Sequence, residues 1–230
     1  MKAVIDDQVV IPSFGRLLRE AGALVHFARR FRSAAGRAPG CANGRAVMVI
    51  PGFLASDLST THLRGALAEA GYAAHGWDMG ANLGARADTL ERLAARLDAV
   101  AADGAPVSLV GWSLGGLYAR ELAKLRPEQI DRVVTLGSPF SGNPRGNHAW
   151  RLYELVSGHK VDRPPIAVRT AEKPPVPTWA FWSAEDGVVA PACARGQAHE
   201  RDFAVELACR HLGFVSDPVA IAAILKALAA

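Results

Sequence analysis

The chain has 230 residues, 50% of them hydrophobic and 21% charged, with a formal net charge of +4. That is enough to bury one substantial core and too apolar for a disordered chain. No uninterrupted apolar run approaches the roughly 20 residues that cross a bilayer. The densest basic stretch, HFARRFRSAAGR, lacks the repeated Lys/Arg clusters and interleaved aromatics of a nucleic-acid surface, so no nucleic-acid partner is expected. The opening MKAVIDDQVVIPSFGRLL carries two aspartates and a proline where a secretory leader would carry its apolar segment, which predicts a cytoplasmic chain.

Residues 13–33 set Leu17, Leu18, Ala21, Leu24, Val25, Ala28 and Phe31 on one helical face and most of the arginines off it. This predicts an amphipathic helix packed on the domain, whose basic polar face would also suit weak contact with an anionic membrane surface. The Gly/Pro-rich AAGRAPGCANGR then marks a division between residues 1–40 and a main domain, 41–230. From there strands and helices alternate. Strands are predicted at 46–50, 72–77, 107–112, 133–138, 178–183 and 203–208, and helices at 61–71, 89–103, 115–127 and from Asp217–Pro218 to the end. Near-continuous apolar runs such as VMVI and VVTL fit strands buried on both faces of a mostly parallel sheet. Residues 141–177 are too long and too polar for a simple connection, and are expected to form a small cap whose one short helix is 148–158. Cys41, Cys193 and Cys209 form no CxxC pair and have no histidines at ligand spacing, so neither a metal nor another cofactor is expected. Cys193 and Cys209 lie in segments that should converge, and two free thiols are expected there in preference to a bridge.

The segment SLVGWSLGGLYARELAK contains G-x-S-x-G at 111–115, with a strand before Ser113 and a helix after it. A serine at such a corner projects its hydroxyl above the sheet, and the free N–H groups of the helix N-terminus face the oxygen that gathers charge. A hydroxyl is inert without a base, so an acid and a histidine should follow in that order. His211 lies just after the last strand, on the same rim as the serine. Asp186, ahead of Gly187 and an apolar pair, is favoured over Glu185 as the acid. The backbone N–H groups of Leu114 and of Phe53, in the loop after the first strand, would complete an oxyanion hole. Phe53, Leu54, Trp112 and Phe140 are candidates for an apolar substrate pocket.

The runs VIPGFLASDLSTTHLRG, VSLVGWSLGGLYARELA, VVTLGSPF, SAEDGVVAP and RHLGFVSDP, in this order over residues 46–220, resemble the α/β-hydrolase superfamily, and more closely its bacterial lipase- and esterase-like members. The resemblance implies an α/β-hydrolase fold with helices on both faces of the sheet. It also implies Ser113 as nucleophile, Asp186 as acid, His211 as base, and Phe53 and Leu114 as oxyanion donors. At the oxyanion loop many relatives carry His-Gly where this chain has Pro51-Gly52. The activity implied is a serine hydrolase acting on a small-molecule carboxylic ester with an apolar acyl group. A thioesterase or acyltransferase using the same triad, or a non-catalytic scaffold that binds an apolar ligand, are the alternatives.

Overall fold

A computed structural model describes residues 11–20, 43–101, 104–166 and 168–230. Six strands are present: β1 (Ala46–Ile50), β2 (Ala73–Gly76), β3 (Val107–Trp112), β4 (Ile130–Leu136), β5 (Thr178–Trp182) and β6 (Phe203–Glu206). They form one sheet in the order β2-β1-β3-β4-β5-β6, every neighbouring pair parallel. Alternate residues of each central strand feed two separate cores. Val47, Val49, Val110 and Val134 face one side; Met48, Ile50, Leu109 and Val133 face the other, and all eight are fully buried.

Helices cover both faces. α2 (Thr61–Glu69) and α7 (Pro218–Ala229) bring Leu63, Leu67, Ile221 and Ile224 to the first core; α3 (Thr89–Val100) and α4 (Leu114–Leu125) bring Leu93, Leu97, Ala119 and Leu122 to the second. α7 starts where the sequence marks it, with the Asp217 carboxylate accepting from the N–H groups of Val219 and Ala220 ahead of Pro218. The chain runs from β1 outward to β2, then returns across β1 to β3. The carboxyl ends of β1 and β3 therefore flank the point where the strand order reverses, the customary place for a ligand in a sheet of this kind.

Residues 14–20 are helical (α1), and the rest of the helix predicted over 13–33 lies outside the described residues. The expectation that Leu18 sits on the buried face is corrected: it is 60% exposed, whereas Pro12 and Glu20 are buried. α1 and the residues just ahead of it are held mainly by polar contacts, with the His148 ring nitrogen Nε2 2.6 Å from the Pro12 carbonyl oxygen. A further helix, α5 (Trp150–Ser157), falls within the stretch predicted to contain one, and α6 (Pro191–Arg195) follows β5. Cys193 and Cys209 are buried free thiols, and Cys41 lies outside the described residues. Among the described residues no helix is long and apolar enough to cross a membrane.

Candidate active site

At the end of β3 the chain turns into α4 through Ser113, whose φ of 53° and ψ of −120° are unusual for any residue with a side chain. Such a conformation costs roughly 1–3 kcal/mol and persists where its surroundings impose it. They do so here: the Ser113 N–H donates to the Leu136 carbonyl on β4 at 2.8 Å, and both flanking glycines are crowded by backbone. A Cβ on Gly111 would lie 2.4 Å from the Gly115 carbonyl oxygen, and one on Gly115 would lie 2.3 Å from that of Ile50.

The loops after β5 and β6 bring Asp186 and His211 together, both nearly inaccessible to solvent. The two oxygens of Asp186 have different partners. Oδ1 accepts from the N–H groups of Val188 and Val189, each at 2.8 Å, and Oδ2 lies 2.8 Å from His211 Nδ1. With the carboxylate as acceptor, Nδ1 carries the proton and Nε2 is left as the basic nitrogen. Glu185 is exposed, and its N–H donates to Ser183 Oγ. The base loop is tied to the serine corner by Trp112, whose indole Nε1–H donates to the His211 carbonyl at 3.2 Å and whose ring lies 5.7 Å from the imidazole. Phe214 meets the imidazole edge-on. Burial pulls the His211 pKa down, but the charge and hydrogen bond of Asp186, assisted by the charge of Glu20, outweigh it and hold the imidazole above its ordinary value. Burial pushes the neighbouring Cys209 thiol up to about 12, leaving it neutral, and Cys193 up to about 11.

The loop after β1 packs on the same corner: a Cβ on Gly52 would lie 3.1 Å from that of Ser113. Its shape depends on Asn82, which is 1% exposed. The Asn82 side-chain amide donates to the Pro51 carbonyl at 2.9 Å, its backbone N–H to Ala55 O at 2.8 Å, and its carbonyl accepts from Leu54 N–H at 2.8 Å. Leu54 takes a left-handed conformation, with φ of 60°. Among the described residues the N–H groups of Phe53 and Leu114 have no acceptor.

A cavity of about 240 Å³ opens over Ser113. Leu114, Leu117 and Tyr118 of α4 form its floor, and Trp150 and Tyr153 of α5 with Ile166 and Val168 wall it from the long connection between β4 and β5. Of the four residues expected in a substrate pocket, Phe53 lines this cavity and packs at a tilt against Tyr153, ring centroids 5.4 Å apart. The other three are placed elsewhere. Trp112 is core and bonded to the base loop, Phe140 is buried beneath the Arg120 guanidinium, and Leu54 is half exposed, because its left-handed backbone turns the side chain outward.

No family model and no curated protein matches the chain. Solved structures do. The thioesterase domain from the curacin biosynthetic pathway superposes with a TM-score of 0.57 at 17% identity, over 83% of this chain and 93% of that one. A structure from work on the metagenome-derived lipolytic enzymes LipS and LipT gives 0.59 at 16%, over 85% and 98%. The pyrethroid hydrolase PytH gives 0.56 at 19%, over 81% and 98%. The chain has the α/β-hydrolase fold.

On that α/β-hydrolase scaffold, four residues near the serine corner escaped the reading of the sequence. Asn82 and Arg120 act mainly through contacts 27 to 80 positions away and leave little local pattern. Tyr118 reads as one more apolar position of α4. Only Glu20 carried a signal, a carboxylate three residues after Leu17 and four before Leu24, inside the apolar stripe of the predicted helix.

Proposed function

We propose that the chain is a serine hydrolase of carboxylic esters. Ser113 Oγ attacks the ester carbonyl while His211 Nε2 takes its proton. The oxyanion is met by the N–H groups of Leu114 and Phe53, and its collapse expels the alcohol, which leaves with the proton from His211. Water then adds to the acyl-enzyme by the same route in reverse roles, releasing the acid and restoring the serine. Asp186 fixes the imidazole tautomer and stabilises the cation that forms twice per turnover.

The observation that carries this reading is the buried Asp186–His211 pair at 2.8 Å, tied through Trp112 to a strained serine at the floor of an apolar cavity. In this reading residues 141–177 are a cap over the serine and residues 1–40 an accessory to the main domain. The cavity volume, below the roughly 300 Å³ at which pockets for drug-sized ligands begin, favours short to medium acyl groups.

A series of p-nitrophenyl esters of increasing acyl length tests the reading. Turnover should peak at short to medium chains and fall about 10⁴-fold in both Ser113→Ala and Asp186→Asn, with Glu185→Gln near wild type. Retention of a tenth of the activity in Ser113→Ala sinks the assignment. Release of free acid without added alcohol or thiol separates hydrolysis from acyl transfer.

A further inference from the structure

Glu20 is a carboxylate that is 6% exposed, delivered by α1 to the opposite end of the chain. Its Oε1 accepts from the N–H of Gly187 at 3.1 Å and from the N–H of His211 at 2.9 Å, and its Oε2 from the N–H of Leu212 at 3.4 Å. Gly187 directly follows Asp186. One carboxylate oxygen therefore bridges the two loops, from different strands, that carry the Asp186–His211 hydrogen bond. Among the described residues no Lys or Arg pairs with Glu20. A buried carboxylate without a cation is costly, and backbone N–H groups are what make this one tolerable.

The rest of α1 is shaped to the same place. The Arg210 guanidinium donates to the Arg19 carbonyl at 2.9 Å, across the end of the helix. At Gly187 the approach is so close that a Cβ would lie 2.5 Å from the Arg16 carbonyl oxygen and 2.9 Å from Glu20 Cγ. The acid loop accommodates α1 only because it has a glycine there.

We propose that Glu20 is a positioning residue: it clamps the acid loop to the base loop and so holds the Asp186–His211 hydrogen bond in register for the ester hydrolysis proposed above. The clamp touches neither substrate nor reacting atoms. It acts on the placement of His211, and a misplacement of about 1 Å at such a base costs on the order of a hundredfold in rate. It also acts through charge. The charged groups acting on the imidazole are Asp186 from the loop after β5 and Glu20 from α1. The uncharged rings of Trp112 and Phe214 pack beside it, and Cys209, two residues earlier on its own loop, is a neutral thiol. Both carboxylates favour the imidazolium. Loss of the Glu20 charge lowers the His211 pKa, so the acid limb of the pH–rate profile moves to lower pH.

The test uses the full chain with Glu20→Gln and Glu20→Ala. Glu20→Gln keeps an oxygen that accepts N–H bonds and loses the charge; its kcat should fall about tenfold with KM within about twofold and its acid limb should shift down in pH. Glu20→Ala loses the clamp, and kcat should fall about a hundredfold, again with little change in KM. Circular dichroism and melting separate this from unfolding. If Glu20→Ala does not fold, Glu20→Gln carries the test alone. A kcat within twofold of wild type, or a loss that only tracks the unfolded fraction, overturns the proposal, as does an acid limb that stays in place in Glu20→Gln. Titration of His211 by NMR needs no substrate: a lowered pKa in Glu20→Gln upholds the clamp even if the ester reading fails, and an unmoved one overturns it.

Discussion

The floor of the cavity and the segment that walls it from above are held by different forces. The floor is the β3–α4 corner, backed by strands whose Val47, Val49, Val110 and Val134 are fully buried. The wall, residues 139–170, buries a single residue of α5, Tyr153, and leaves Leu155 80% exposed. Apart from Phe140 and Ile166, which are buried, it is pinned mainly by polar contacts. The buried Arg120 guanidinium on α4 donates to the carbonyls of Thr170, Glu172 and Glu200 at 2.8 to 3.1 Å, Lys124 donates to the Arg169 carbonyl, and the Tyr153 hydroxyl accepts from the N–H of Ala85. Apolar burial is shared by many residues and lost only on global unfolding, whereas a few directional bonds can break locally. In the ester-hydrolase reading proposed above, a corner held by apolar burial beneath a wall held by a few directional bonds would suit a site that admits and releases substrate.

The largest expected effect is on the floor. Gly115→Ala places a methyl 2.3 Å from the Ile50 carbonyl oxygen and 2.7 Å from that of Pro51, both main-chain atoms that cannot rotate away. Chemical denaturation should register a loss of about 3 kcal/mol, and ester turnover should vanish with it. A variant as stable as wild type would mean that the corner yields, and the contrast with the wall would fail.

Arg120→Met should act on the wall. Burial lowers the Arg120 pKa to about 10, with Glu200 and Glu121 opposing it, so at neutral pH the group is still a cation and its hydrogen bonds are charge-assisted. Methionine fills most of the space and leaves the carbonyls unmet, a loss of about 2 kcal/mol. Hydrogen exchange should rise most in 168–172 and least in β3. Equal acceleration in both would place the two regions in one cooperative unit.

The same division governs what could be read in advance. β1 and β3 match their predicted ranges residue for residue because strands buried on both sides are near-continuous apolar runs. β4 begins at Ile130, earlier than predicted, since Asp131 and Arg132 look like a loop. In the fold Arg132 is 8% exposed, bonded to Asp131 and to the Ala227 carbonyl, so its polarity is satisfied inside the sheet layer. Ser113, Asp186 and His211 were legible as candidates because each stands at a strand end, in an order set by topology. Glu20, Asn82 and Arg120 were not, because each bonds to main-chain groups far away in sequence, and main-chain groups have no residue type to recognise. Trp112 and Phe140 were misplaced for the converse reason: standing next to Ser113, or just after β4, does not say where a ring packs, and Trp112 joins one core while Phe140 lies under the Arg120 guanidinium.

The smallest expected effects come from the two tyrosines of the cavity and have opposite signs. Tyr118, on the floor, is 2% exposed, and its hydroxyl has no hydrogen-bond partner among the described residues. Burial, helped by the nearby Tyr153 phenol, pushes its pKa far up. An unmet buried hydroxyl costs about 1–3 kcal/mol, so Tyr118→Phe removes a liability together with one oxygen's worth of packing and should stabilise the chain by up to about 1 kcal/mol. At this chain length that raises the melting temperature by about 2–4 °C. Tyr153, in the wall, has a hydroxyl that accepts the Ala85 N–H at 3.2 Å, and Tyr153→Phe strands that buried donor, a loss of about 1 kcal/mol. Two deletions of the same atom, on facing sides of one cavity, should move the melting temperature in opposite directions. If both lower it, the Tyr118 hydroxyl is bonded after all, and the floor relies on a polar contact just as the wall does.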